Sequence, residues 1–159
     1  MVLWPEVTPV YRKILVAVDG SAASLRGLEE AIRLAKATGA RLLLVHVLNT
    51  LILDTEVAST AYYQALAEEI RSSGLKILEH AAMVAHDAGV PFEQQLIEKI
   101  GAHAWKEIVA QAGDWHADLI VLGTHGRRGL KRLVMGSDAE RVLRHSPVPV
   151  LMVREQPEA

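Results

Sequence analysis

Asp118-Leu119-Ile120-Val121-Leu122-Gly123-Thr124-His125-Gly126, followed after nine further residues by Gly136-Ser137, decides how this chain is read. Residues 118–122 are a short apolar run opened by Asp118, the pattern of a strand buried on both faces. Residues 137–145 have helical composition. A helix N-terminus exposes unpaired N–H groups and a partial positive charge, and glycine removes the side chain that would hold an anion at a distance. Strand, glycine loop and helix start, in that order, predict a phosphate cradle at the carboxyl end of a buried strand. A plainer reading has Gly123 and Gly126 turning the chain while Gly136 ends a loop. It accounts for each glycine singly but not for their spacing beside a helix start.

The segments upstream repeat the pattern. Residues 14–18 form a continuous aliphatic run that ends at Asp19-Gly20-Ser21, as a central parallel strand does when it meets a turn. From Ser21, a candidate N-cap, Leu25, Leu28, Ile32 and Ala35 recur at steps of three and four until Gly39 supplies a stop. A second buried strand is expected at 42–47 and a helix at 62–88, with Ile70, Ile77, Ala81, Val84 and Ala85 on one face and Gly74 as a point of bending or fraying. A third strand follows at 90–98, and a helix at 102–112 carries Trp105, Ile108 and Val109. The fifth strand is expected at 148–153. Residues 48–61 lack clean periodicity and read as a mobile connection that could cover a ligand.

Alternating strands and helices predict an α/β fold: an open, five-stranded, mostly parallel sheet with helices on both faces, Rossmann-like in outline. In such sheets ligands gather outside the carboxyl ends of the strands, where strand order reverses. Asp19, Val47 and Gly123 each stand at a strand end, so three segments distant in sequence are expected to meet in one crevice.

Composition narrows the function. A chain of 159 residues, 50% apolar and 23% charged, suits one soluble domain with a proper core. A formal net charge of −2 gives no electrostatic reason to seek nucleic acid or an anionic membrane. Cysteine is absent, which excludes disulfides, thiol catalysis and thiolate metal sites. No apolar run approaches the roughly 20 residues of a membrane helix, and no signal-peptide pattern opens the chain, so a cytoplasmic location is expected. Residues 1–10 contain Pro5 and Pro9 and read as an extended arm, 11–154 as one domain and 155–159 as a tail.

The spacing Gly-x2-Gly-x9-Gly-Ser, complete at Gly123, Gly126, Gly136 and Ser137, resembles the nucleotide-binding signature of the universal stress protein family. YRKILVAVDGS at 11–21, LLLVHV at 42–47, and 117–153 ending in RVLRHSPVPVLMV resemble the corresponding family segments in the same order. The resemblance covers all but the first ten and last five residues or so. It implies an adenine nucleotide alpha-hydrolase-like fold and a bound adenine nucleotide, ATP or else ADP or AMP. It further implies that Asp19 holds the adenine end, that Ala17 and Val47 frame the base, Val47 through its backbone, and that Leu122, Gly123, His125 and Gly126 line the opposite side. Gly136, the Ser137 hydroxyl and the N–H groups of Ser137, Asp138 and Ala139 would then meet the phosphates and ribose. Many ATP-binding members carry an apolar residue such as valine where this chain has Asp138. A carboxylate there favours the helix end by about 0.3–1 kcal/mol yet repels phosphate, which predicts weaker affinity or a divalent cation such as magnesium between the charges.

The remaining signals are weaker. Arg127, Arg128, Lys131 and Arg132 suit phosphate steering or a solvated face equally well, and without interleaved aromatics they do not suit nucleic acid. None of the seven histidines forms a metal-binding pair, so most are expected at the surface, with His125 in the glycine loop as the exception. No Gly-x-Ser-x-Gly elbow or Walker lysine is present. The resemblance implies a stress-response sensor with slow turnover at most and an unidentified protein partner. It also implies a homodimer, for which PVPVLMV at 147–153 offers a pairing edge. A nucleotide-independent interaction protein of the same fold and a slow phosphohydrolase using Asp19 or His125 near a metal-bound water are the alternatives.

Overall fold

The computed structural model describes residues 10–49, 60–99, 101–125 and 135–155. Within them strands and helices alternate as β1 (Lys13–Ala17), α1 (Ala22–Thr38), β2 (Arg41–Asn49), α2 (Thr60–Asp87), β3 (Phe92–Lys99), α3 (Ala104–Asp114), β4 (Leu119–Gly123), α4 (Ser137–His145) and β5 (Val150–Val153). The strands form one sheet in the order β3-β2-β1-β4-β5, and every pairing is parallel. The expected open sheet of five strands is therefore present and parallel throughout.

Strand composition follows position in the sheet. Ile14, Leu15 and Val16 of β1 and Ile120 and Val121 of β4 have no exposed surface, because interior strands are covered on both faces. Their side chains alternate between two cores. Ile14, Val16, Leu42, Leu44 and Val121 pack with Leu28, Ile32 and Leu78 beneath α1 and α2. Leu15, Leu43, Val45 and Ile120 pack with Ile108, Ala112 and Val142 beneath α3 and α4. Glu93, Gln94 and Gln95 are exposed on β3, and a strand this polar is tolerated because it lies at an edge.

The helices correct several expectations. α1 is capped as its sequence predicts, with Ser21 Oγ accepting the Ser24 N–H at 3.1 Å and Gly39 at φ 74° ending it. Leu25, however, is exposed. The buried stripe runs through Ala23, Ser24 and Gly27 instead, since small residues let the first turns of α1 lie against the end of β4. α2 continues through Gly74 without a break. A Cβ there would stand 2.6 Å from Leu48 Cδ2 and 3.0 Å from His46 Cδ2, so this glycine serves close helix-to-sheet packing. Gly74, Leu78, Ala81 and Ala85 form the buried line of α2, with Ile70, Ile77 and Val84 half-buried beside it.

The segment expected as a mobile connection is shorter than 48–61. Leu48 and Asn49 pair with Glu98 and Lys99 as the last rungs of β2–β3, and α2 already begins at Thr60. The rest of that segment lies outside the described residues, as do residues 1–9. β3 starts at Phe92, two residues later than expected, because Gly89 at φ 72° and the Val90 N–H bond to Ala85 still belong to the end of α2. β5 starts at Val150. Pro149 has no N–H for the ladder, although its carbonyl accepts from Ile120 at 3.0 Å.

The chain leaves β1 on one side for β2 and β3, then returns across β1 to form β4. Strand order thus reverses between β1 and β4, and their carboxyl ends flank a crevice.

Candidate functional site

The crevice at this reversal encloses about 1110 Å³, slightly larger than the ~300–1,000 Å³ usual for small-molecule sites. Ala17, Asp19, Val47, Leu122, Gly123, His125, Gly136, Ser137, Asp138 and Ala139 all line it. Gly126 lies outside the described residues, and so do Arg127, Arg128, Lys131 and Arg132. The expected residues come from the ends of β1, β2 and β4 and the start of α4, and α2 and α3 complete the walls.

The turn after β1 presents Asp19. Its Oδ1 accepts the Ser21 N–H at 2.8 Å, and its own N–H donates to Ser24 Oγ at 3.3 Å. Asp19 therefore shapes its own turn, as an Asp-Gly-Ser sequence often does, while it stands half-buried on the crevice wall.

The end of β4 gives Gly123 a role that its sequence context did not suggest. A Cβ at Gly123 would lie 2.7 Å from the Ala23 carbonyl carbon and 2.8 Å from Ser24 N. The missing side chain makes room for α1, whatever it also does for a ligand. Beyond it the Thr124 N–H donates to the Val153 carbonyl at 2.9 Å, and the Thr124 carbonyl accepts from Gly136 N–H at 2.8 Å. That second bond pins the start of α4 to the end of β4. It also uses the Gly136 N–H within the protein, so the donors turned toward a ligand begin at Ser137.

α4 has Gly136 as its N-cap, a residue with no side chain to cap the helix. Its first intrahelical bond runs from Glu140 N–H to the Gly136 carbonyl at 3.0 Å, which leaves Ser137, Asp138 and Ala139 as the orphan donors of the first turn. α3 starts in a similar way: His103 is its N-cap without a side-chain bond, and Ala102, His103 and Ala104 line the same crevice. Two helix starts with positive dipole ends therefore face one space. Asp138 and Glu140 in the first turn of α4 oppose part of that field.

Five of the seven histidines are exposed, as expected. His125 is half-buried; its Nδ1 lies 2.9 Å from Thr124 Oγ1, and its carbonyl accepts from Ser21 Oγ at 3.3 Å. Its Nε2 is buried and has no hydrogen-bond partner among the described residues. A buried polar atom left so costs about 1–3 kcal/mol. His46 is the exception that the sequence reading missed, buried at the end of β2 on the crevice wall. Its only local signal was a histidine inside an apolar strand run. Ile70 and Ser73 of α2 and Met135 also reach the crevice and carried no local signal. The described residues contain no group of three metal-ligating side chains. No described helix is long and apolar enough to cross a membrane.

An uncapped helix start, an orphaned imidazole nitrogen and a half-buried carboxylate fit the two ends of a nucleotide, anionic tail and amine-bearing base. Residues 10–154 match the family model of the universal stress proteins. The chain is 32% identical over 146 residues to a universal stress protein of Methanocaldococcus jannaschii, covering 92% of this chain and 84% of that protein. It is 35% identical over 151 residues to universal stress protein YxiE of Bacillus subtilis, covering 91% and 100%. Among solved structures, a universal stress protein in complex with cAMP superimposes with a TM-score of 0.68 at 28% identity, covering 92% of this chain and 99% of that one.

Proposed function

Because this chain belongs to the universal stress protein family, we propose that its crevice binds an adenine nucleotide, ATP in particular, and that the protein reports its nucleotide state to a partner in a stress response. The observation that carries this reading is the start of α4, tied by Gly136 to the end of β4 and lining the same cavity as Asp19. The N–H groups of Ser137, Asp138 and Ala139 suit a phosphate, and the Asp19 carboxylate suits the exocyclic amine of adenine. His125 Nε2 has no partner among the described residues, and a ribose or phosphate oxygen would supply one. Ala17, Val47 and Leu122 supply the apolar walls against which a base packs. The relative solved with cAMP supports an adenine nucleotide as the ligand class.

The protein is further proposed to act as a homodimer through β5. That strand is the last in the sheet, its four residues are apolar and each is half-buried, so its outer edge remains open to a second copy.

Calorimetric titration with ATP, ADP and AMP tests the nucleotide reading, together with mass spectrometry of any ligand released from the purified protein. Saturable binding that weakens sharply in Gly136→Val is the expected result. Absence of binding by all three nucleotides would refute it.

A further inference from the structure

Among the described residues two polar side chains are buried in the core, His46 at 7% exposure and Ser24 at 5%. Both are tied to the turn between β1 and α1. His46 Nδ1 lies 2.7 Å from the Val18 carbonyl, and because a carbonyl only accepts, Nδ1 carries the hydrogen. Ser24 Oγ accepts the Asp19 N–H at 3.3 Å and donates to the Ser21 carbonyl at 3.0 Å. Buried polar groups persist where they are bonded, and these bonds converge on residues 18–21.

The His46 bond also marks where the ladder stops. The register of β1 with β2 ends at Ala17↔Val45, and the Val18 N–H still donates to the Val45 carbonyl at 2.9 Å. Alternate residues of a strand turn their main-chain polar groups to the same side. Val47, two beyond Val45, therefore turns its N–H and carbonyl toward the β1 side, past the last paired residue of β1. A further rung would run from the Val47 N–H to the Val18 carbonyl; it is not formed, and that carbonyl accepts from His46 instead.

We infer that His46 is a positioning residue for base recognition: by turning the Val18 carbonyl toward its own side chain it ends the β1–β2 ladder one rung early, leaving the Val47 main chain to the edge of an adenine ring with Asp19 fixed beside it. The inference rests on the nucleotide reading above. Adenine offers a ring acceptor and an amine donor along that edge, and hypoxanthine reverses both. A site composed of the Val47 main chain and the Asp19 carboxylate therefore prefers ATP to ITP.

The test compares ATP and ITP affinities of the wild type, His46→Asn and His46→Leu. Asparagine keeps an N–H donor at the same distance along the side chain as Nδ1, whereas leucine fills similar space without one. The wild type and His46→Asn are expected to prefer ATP, and His46→Leu to lose about tenfold or more of that preference, the scale of one polar contact. Amide hydrogen exchange on the ligand-free wild type supplies a second readout that needs no variant to fold. The Val47 amide is expected to exchange freely and to become protected when ATP is added. An unchanged ATP-to-ITP ratio in His46→Leu, or a Val47 amide already protected without nucleotide, would overturn the inference while leaving nucleotide binding intact. A wild type that binds neither nucleotide would instead refute the proposed function and take the base-recognition role with it.

Discussion

Gly123→Ala separates two reasons for a glycine at the end of β4, room for a ligand and room for a helix. The added Cβ would meet the Ala23 carbonyl carbon at 2.7 Å, Ala23 Cβ at 2.8 Å and Ser24 N at 2.8 Å. Carbon atoms settle at about 3.5–4.0 Å, so the strand end or the helix start must move by about 0.7 Å or more. Two of the three obstacles are backbone in the first turn of α1, which cannot rotate aside. Overpacking costs about 1–3 kcal/mol, and a rigid obstacle puts this substitution in the upper half of that range. At about 2–4 °C per kcal/mol for a domain of this size, the melting temperature should fall by roughly 4–12 °C. The displacement lands on Ser24, whose hydroxyl accepts the Asp19 N–H, so the turn that carries Asp19 shifts as well and ATP affinity should fall with stability. Thermal denaturation followed by circular dichroism, on ligand-free protein and then with saturating ATP, reads both effects. Gly136→Ala is the companion measurement. Its φ of −59° and ψ of 143° suit any residue, and alanine at an N-cap costs about 1 kcal/mol, so the melting temperature should fall by only about 2–4 °C while affinity drops. A Gly123→Ala protein melting within about 1 °C of the wild type would refute the packing argument.

Further substitutions probe the other parts of the site. Ser21→Ala removes the side-chain cap of α1 and should destabilise the protein by about 0.5–2 kcal/mol, read as a lower denaturant midpoint at unchanged slope. Asp138→Val should raise ATP affinity in the absence of magnesium and shrink the effect of adding it; equal affinities for variant and wild type in both conditions would remove the repulsion argument. Leu151→Lys puts a charge at the open edge of β5 and should convert a dimer to monomers in sedimentation analysis, with the melting curve as a control for folding.

The architecture was readable from the sequence because the interior strands announce themselves. ILVAV at residues 14–18, LLLV at 42–45 and LIVL at 119–122 are continuous apolar runs, as burial on both faces requires. Boundaries were less legible where a tertiary partner decides them. The last two residues of β2 look polar or ambiguous in isolation, yet they are strand because β3 extends alongside them. Leu25 fits a helical stripe by spacing alone. It stays exposed because α1 meets β4 through its smallest residues, a choice that hydrophobicity does not encode.

The crevice shows the same division at finer scale. Asp19, Gly123, Gly136 and Ser137 could be named from sequence because their types at strand ends and helix starts carry local chemistry. His46, Ser24 and Gly74 could not, because each acts by supporting something else: His46 and Ser24 through bonds to the turn at residues 18–21, and Gly74 by admitting α2 against His46 and Leu48. Glycines illustrate the point most sharply. Gly123 and Gly136 belong to one spaced signature, yet the first is required by a helix packed against it, while the second has ordinary backbone angles and no need of glycine on conformational grounds. The contrast between Gly123→Ala and Gly136→Ala therefore separates room for a helix from the demands of the crevice more directly than any substitution of its polar side chains.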